Sequence, residues 1–178
     1  MPTKRKPIQS ASRKVSLDLP LEKIISGGQT GVDRATLDFA ISNGIPHGGW
    51  CPRWRLAEDG KLPREYGLRE TPDGEYEQRT EWNVRDSDGT VIFSIASKLF
   101  GKSEFTAEIA KRLNKPSLHI SKSVVPHTGA KQLKDFVLRN HIRVLNVAGP
   151  RASNEPNVAE FVHETLKRLF RLAKSPDR

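Results

Sequence analysis

Short apolar strands alternate with amphipathic helices through most of the chain, and this alternation constrains the fold more than any other feature. Strands are predicted at 23–26, 45–51, 90–95, 117–120 and 143–147. Helices are predicted over 32–43, 77–85, 105–113, 131–139 and 156–172. Parallel strands need crossover helices, so the pattern predicts an α/β domain in three layers, with helices on both faces of a mostly parallel sheet.

Length and charge predict one domain between two basic tails. The 178 residues suit a single domain, which we place at 19–173. Of the net charge of +9, residues 1–14 contribute five basic and no acidic side chains, and residues 163–178 contribute five basic and two acidic ones. Segments 1–18 and 174–178 are expected to be disordered, because they hold few apolar residues. A domain that is basic throughout is therefore excluded, although a local basic patch is not, and nucleic acid remains an alternative partner through the tails.

Cysteine, histidine and hydropathy patterns exclude several classes of protein. Cys51 is the single cysteine, so no internal disulfide can form, and the five histidines lack metal-site spacing. No apolar run approaches the roughly 18 residues that cross a bilayer. We expect a cytoplasmic protein with no membrane partner and no structural metal.

The first candidate ligand loop joins the first strand to the first helix. It contains Gly27, Gly28, Gln29, Thr30, Gly31 and Asp33. Paired glycines let backbone amides approach a phosphate, and the helix N-terminus supplies free N–H groups. The spacing matches neither the dinucleotide fingerprint nor the P-loop. A tight turn without a ligand is the alternative, with Asp33 interacting only with the helix dipole.

Two further loops follow later strands and contain small and polar residues. Their candidate ligand-binding residues are Ser94, Gly101, Ser103, Thr106, Gly149, Arg151 and Ser153. Ligands of open α/β sheets bind at the carboxyl ends of the strands, so we expect all three loops to meet there. The alternatives are that Ser103 only caps its helix and that Arg151 is an ordinary surface arginine.

The predicted helix at 77–85 is unusually polar. Arg79, Asn83 and Asp86 share one face and could hydrogen-bond a heterocycle or a ribose. An exposed pair between Glu81 and Arg85 is the alternative interpretation of this helix. Upstream, residues 48–55 interleave two tryptophans with two arginines, which could stack on a nucleotide-like ligand or anchor the core.

Several long segments together resemble one protein family. They are IISGGQTGVDRATLDFAI, GIPHGGWCP, RLAEDG, LRET, QRTEWNVRDSDGTVIFS, KPSLHIS and HIRVLNVAGPRAS. Over residues 23–172 the chain resembles the molybdenum carrier family, within the Rossmann-like superfamily (SLOG) of the LOG and DprA-type proteins. The resemblance implies a sheet of about five parallel strands. It also implies a phosphorylated ligand held at Gly27, Gly28, Thr30, Gly31 and Asp33.

Three functions are weighed from these features. The first is a carrier of a phosphorylated small molecule, either molybdenum cofactor (molybdopterin) or a nucleotide-like ligand, in a protein that could form homo-oligomers. The second is a nucleotide hydrolase that uses Glu81, Asp86 or Glu108 as its acid or base. LOG enzymes carry a PGGxGTxxE loop, and the matching stretch here, 101–108, lacks the paired glycines and the GT but places Glu108 near the family's glutamate. The third is binding of single-stranded nucleic acid through the basic tails and the Trp/Arg stretch at 48–55.

Overall fold

The computed structural model describes residues 19–123 and 126–173, so the predicted tails lie outside the described residues. The strands are β1 (Lys23–Ile25), β2 (His47–Gly48), β3 (Trp50–Cys51), β4 (Leu56–Ala57), β5 (Gly60–Lys61), β6 (Arg69–Glu70), β7 (Gly89–Ser94), β8 (Ser117–Ser121) and β9 (Val144–Ala148). The helices are α1 (Val32–Ser42), α2 (Tyr76–Arg85), α3 (Gly101–Arg112), α4 (Pro126–Arg139) and α5 (Val158–Leu172). Short 3₁₀ turns cover Arg53–Arg55 and Arg64–Tyr66.

Five strands form a parallel sheet in the order β2-β1-β9-β7-β8. Helix α5 packs against α1 and α4, while α2 packs against α3. The main core lies between the sheet and the first group of helices, around Phe93, Leu145 and Leu166. A smaller cluster of Val84, Ile109 and Ala110 joins α2 to α3. The predicted three-layer α/β fold is confirmed.

Connections leave the middle of the sheet in opposite directions. The crossover through α1 runs from β1 outward to β2, and the crossover through α3 runs from β7 to β8 on the other side. Strand β9 lies between β1 and β7, although it comes last in the chain. Open α/β sheets place a crevice where the connections diverge, at the carboxyl ends of the strands. That rule puts the crevice above β1, β9 and β7.

Several predicted boundaries are corrected by the structure. Helix α3 begins at Gly101 rather than at residue 105. The sequence pattern missed its first turn, because that turn is polar and shows no apolar periodicity. The last helix begins at Val158 rather than Pro156. Asn157 has a φ of 68°, which is not helical, so the helix cannot start before it. The predicted strand at 45–51 is two short strands, β2 and β3, which belong to different sheets.

No helix within residues 19–123 and 126–173 combines the length and the apolar character that crossing a membrane requires.

Candidate functional site

The loops after β1, β7 and β9 meet at the carboxyl edge of the sheet. Gly31, with a φ of 80°, has no room for a side chain, since a Cβ atom there would lie 2.5 Å from the carbonyl oxygen of Pro150. The Glu155 carboxylate accepts hydrogen bonds from the backbone amides of Ile95 and Ala96. The loop after β9 therefore contacts both of the others, and the three surround one cavity.

This cavity has a volume of about 230 Å³. Its lining comprises Gln29, Tyr76, Arg79, Ser94, Lys98, Leu99, Phe100, Lys102, Ser103, Gly149, Pro150, Arg151, Asn154 and Glu155. A recess of about 40 Å³ shares Arg79, Lys102 and Gly149 with the cavity. The recess is also lined by Gly27, Asp33, Thr80, Asn83, Thr106, Asn146, Val147 and Ala148.

A buried ion pair lies beside the recess. Nη1 of Arg79 lies 2.9 Å from Oδ2 of Asp33, and the two side chains are 13% and 3% exposed. Burial raises the pKa of Asp33, while the positive charge of Arg79 acts in the opposite direction. Gly27 makes room for the guanidinium, because a Cβ atom there would lie 1.6 Å from Nη1. Nη1 is thus committed to Asp33, whereas the buried Nε of Arg79 has no hydrogen-bond partner among the described residues.

Three cations surround the ring of Tyr76 at the cavity wall. Nζ of Lys102 lies 3.9 Å from the ring centroid, and the Cζ atoms of Arg79 and Arg151 each lie 5.7 Å from it. Burial, together with the positive charges of Arg151 and Arg79, lowers the pKa of Lys102. Cations that repel one another this closely favour an anion between them.

The structure places the predicted ligand residues in three groups. Gln29, Arg79, Ser94, Ser103, Gly149 and Arg151 line the cavity. Gly27, Asp33, Asn83 and Thr106 line the recess. Gly28, Thr30, Gly31, Gly101 and Ser153 contribute to neither lining. The assignment of all these residues to a ligand stays a prediction.

Asn83 and Ser94 are among the lining residues that have protein partners. The Asn83 amide donates to the carbonyl oxygen of Trp50 and accepts from its backbone N–H, so it fixes β3 against α2. The Ser94 hydroxyl donates to the Ala96 carbonyl oxygen and lies 2.7 Å from Nε2 of His119. Burial lowers the pKa of His119. Both side chains therefore shape the site through contacts with its walls.

The three acids considered for catalysis lie outside the described lining of the cavity. Asp86 accepts a hydrogen bond from Nε1 of Trp50 and pairs with Arg85. Glu81 pairs with Arg112, so the suggested Glu81–Arg85 pair is wrong. Glu108 lies on the exposed side of α3.

The structure also decides the roles of Ser103 and Arg55. Ser103 does not cap α3, because the N-cap is Phe100 and Ser103 lies inside the first turn. In the Trp/Arg stretch, the buried Arg55 guanidinium donates to the carbonyl oxygens of Leu62, Pro63 and Leu68. Arg55 therefore holds the loops between β3 and β6 together.

Sequence reasoning missed Tyr76, Lys98, Leu99, Phe100, Lys102, Pro150, Asn154 and Glu155 of the cavity lining. Most of them belong to the loops already singled out or to the first turn of α3. Treating every residue between the carboxyl end of a strand and the first helical turn as a candidate would have found all but Tyr76. That residue opens α2, which does not follow a strand of the main sheet.

The donor chemistry favours an anion over a bare metal ion. The described ranges hold no group of three or more His, Cys, Asp or Glu side chains that could bind a metal ion. The cavity instead presents guanidinium, ammonium, hydroxyl and amide donors. These groups bind phosphate and other oxyanions.

Comparison with known proteins places the fold in a family. A model of the circularly permuted YpsA SLOG family matches residues 24–170. This chain belongs to that family. This chain is similar to a protein of known crystal structure, the putative molybdenum carrier protein of Syntrophus aciditrophicus SB. The two share 45% sequence identity, and their structures superpose with a TM-score of 0.83. The match covers 85% of this chain and 96% of that one. No curated protein matches the chain. The SLOG resemblance seen in the sequence is confirmed.

Proposed function

We propose that this protein is a carrier that binds a phosphorylated small molecule in the cavity at the carboxyl edge of its sheet. One observation carries the proposal: Arg79, Lys102 and Arg151 converge on the ring of Tyr76. Lys98 adds a fourth cation to the lining. Three carboxylates lie against these cations: Glu155 in the lining, Asp33 beside Arg79 and Glu58 beside Arg151. A phosphate group placed there would offset the repulsion among the cations.

The size and the mouth of the cavity indicate how such a ligand would lie. A volume of about 230 Å³ is below the roughly 300–1,000 Å³ of typical small-molecule pockets. It suits the phosphorylated end of a molecule, with the rest at the mouth. The Phe100 side chain lines that cavity and is 68% exposed. A pterin or a nucleotide base fits this arrangement, because both are flat and aromatic.

Molybdenum cofactor and nucleotide-like ligands both satisfy these requirements. The phosphate of molybdopterin would be held by Arg79, Lys102 and Arg151, and the cofactor would bring the metal with its own sulfur ligands. The protein would then supply charge and shape, without coordinating the metal itself. Holding the ligand without turnover is favoured over hydrolysis, because Glu81, Asp86 and Glu108 lie outside the lining. The carboxylate of Glu155, which does line the cavity, is engaged by the backbone amides of Ile95 and Ala96.

Removing one cation of the cluster tests the proposal. We expect Lys102→Gln to weaken binding of AMP and of pyrophosphate about tenfold or more, because a charge-assisted contact is lost. Isothermal titration calorimetry at low salt measures the change. Lys111→Gln is the matched control, since Lys111 lies in the last turn of the same helix, and its affinity should stay within about twofold of wild type.

Equal losses in the two variants, or no binding of either probe by the wild type, would contradict the proposal. Native mass spectrometry of protein purified from its own cells then identifies the ligand, because a pterin and a nucleotide differ in mass.

A further inference from the structure

The acidic turn of the β4–β5 hairpin docks on two of the loops that sequence analysis assigned to a phosphate. Ala57 pairs with Gly60, which leaves Glu58 and Asp59 at the tip of the hairpin. The Glu58 carboxylate accepts hydrogen bonds from the hydroxyl of Thr30, from the backbone N–H of Ser153 at 3.2 Å and from the hydroxyl of Ser153 at 2.5 Å. Nη1 of Arg151 lies 3.8 Å away.

These partners form the donor set of an oxyanion site. Two hydroxyls, one backbone amide and one guanidinium surround a group that only accepts hydrogen bonds, as they would surround a phosphate. The hydrogen bonds from Ser153 and Thr30 hold the pKa of Glu58 below its ordinary value, so the carboxylate is ionised at neutral pH. Thr30 and Ser153 do not contribute to the cavity lining, and their hydroxyls donate to this carboxylate instead.

The donor set adjoins the proposed ligand cavity at Arg151, which belongs to both, and at Gln29, which bonds both sides. Oε1 of Gln29 accepts hydrogen bonds from the backbone amides of Thr30 and Glu58, at 3.0 and 2.9 Å. Gln29 and Arg151 also line the cavity. The Arg151–Glu58 distance of 3.8 Å is longer than a hydrogen bond. Arg151 therefore forms an ion pair with the carboxylate without a direct hydrogen bond, and its side chain also lines the cavity.

We propose that Glu58 occupies a second phosphate subsite, formed by Thr30, Ser153 and Arg151, and that a ligand carrying a diphosphate displaces it. The inference rests on the proposed function, since the first phosphate lies in the cavity. In the unliganded protein Glu58 occupies the subsite. When the second phosphate binds, the Glu58 carboxylate leaves its partners on Thr30 and Ser153. Asp59 keeps the hairpin attached, because it forms two hydrogen bonds of 3.0 Å with the Arg34 guanidinium outside the subsite.

The test compares pyrophosphate binding by the wild type, Glu58→Gln and Asp59→Asn. Each substitution removes one negative charge from the same two-residue turn and keeps the shape of the side chain. Only Glu58→Gln weakens the internal competitor, because a neutral amide is a poorer acceptor than a carboxylate. We expect Glu58→Gln to bind pyrophosphate about tenfold more tightly and Asp59→Asn to stay within about twofold of wild type.

If Glu58 has only a structural role, Glu58→Gln should not bind pyrophosphate more tightly than the wild type. If the wild type binds pyrophosphate and Glu58→Gln binds it equally or more weakly, the subsite proposal is overturned and the proposed function stands. An equal gain in Asp59→Asn also overturns it, since the cause is then net charge or a loosened hairpin. Absence of binding in all three proteins removes the proposed function and this inference together.

Hydrogen exchange of the wild type gives a second readout that needs no variant. The Glu58 amide is hydrogen-bonded to Gln29 in the closed hairpin, so displacement should speed its exchange when pyrophosphate binds. Amides of the loop after β1 should be protected at the same time. Slower exchange at Glu58 would show that the hairpin closes over the ligand, which would overturn the proposal.

Discussion

Asp33 and Arg79 illustrate how single residues at this site depend on one another. The carboxylate is buried beneath the Gly-rich loop, and its charge is compensated by the guanidinium at 2.9 Å. A buried ion pair adds little net stability, but removing one partner leaves an uncompensated charge in the interior. The pair is therefore a better probe of the fold than any exposed pair in the chain.

We expect Arg79→Gln to lower the free energy of unfolding by about 3–5 kcal/mol at pH 8, measured by urea denaturation. Arg112→Gln is the control, because its pair with Glu81 is 59% and 46% exposed, and it should cost less than about 1 kcal/mol. Similar losses in the two variants would show that the Asp33 charge is compensated by other groups.

The loss of stability in Arg79→Gln should also depend on pH. Burial already raises the pKa of Asp33 in the folded protein, and loss of Arg79 raises it further. An acid with a raised folded-state pKa loses stability as pH rises from its unfolded pKa, near 4, through its folded pKa. The deficit of Arg79→Gln should therefore shrink as the pH is lowered from 8 towards 4, and a deficit that grows instead would contradict this account.

At the scale of elements, the site depends on close contact between the loops after β1 and β9. Gly31 allows that contact, because a Cβ atom there would lie 2.5 Å from the carbonyl oxygen of Pro150 and 2.8 Å from the amide nitrogen of Ala152. These are backbone atoms, so a clash cannot be relieved by turning a side chain. Gly28 is different, since its Cβ would meet the side chains of Leu62 and Leu68.

We expect Gly31→Ala to destabilise the fold by about 3 kcal/mol and to weaken pyrophosphate binding. The backbone of Gly31, with a φ of 80° and a ψ of −124°, suits glycine alone, and this strain adds to overpacking. Gly44→Ala is the matched control, with a φ of 64° and nothing within 4 Å of the added Cβ, and it should cost about 1 kcal/mol. Urea denaturation and calorimetry measure the two effects. Equal destabilisation by both substitutions would show that the loops separate freely.

Charge is distributed unevenly over the whole molecule. The net charge is +9, but the first 14 residues carry five basic and no acidic side chains. Bulk basicity attracts polyanions without selecting among them. The cations at the cavity act differently, because they converge on one small volume.

Deleting residues 1–16 and 174–178 separates these two kinds of charge. We expect the shortened chain to bind pyrophosphate within about twofold of the full chain, because the cavity cations are retained. Its binding to single-stranded oligonucleotides should weaken and depend less steeply on salt, as measured by fluorescence anisotropy. If the salt dependence is unchanged, any nucleic-acid binding is a property of the domain and not of the tails.

Prediction from sequence succeeded where the information is local. The apolar run of β7 and the apolar face of α5 are visible in short windows, and both are buried as expected. It failed for Glu58, whose carboxylate bonds Ser153 across 95 residues of sequence. It also failed for Tyr76, because no strand of the main sheet precedes its helix.

The sequence by itself determined the α/β fold and the three loops at the carboxyl edge of its sheet, because hydrophobic period and Gly-rich turns are properties of neighbouring residues. Only the tertiary structure decided which side chains of those loops bond to other parts of the protein and which face the cavity. It turned Thr30 and Ser153 towards an internal carboxylate, and it gathered Arg79, Lys102 and Arg151 around one ring. The physical reason is that a donor's partner is chosen by distance in space, which chain folding sets independently of distance in sequence.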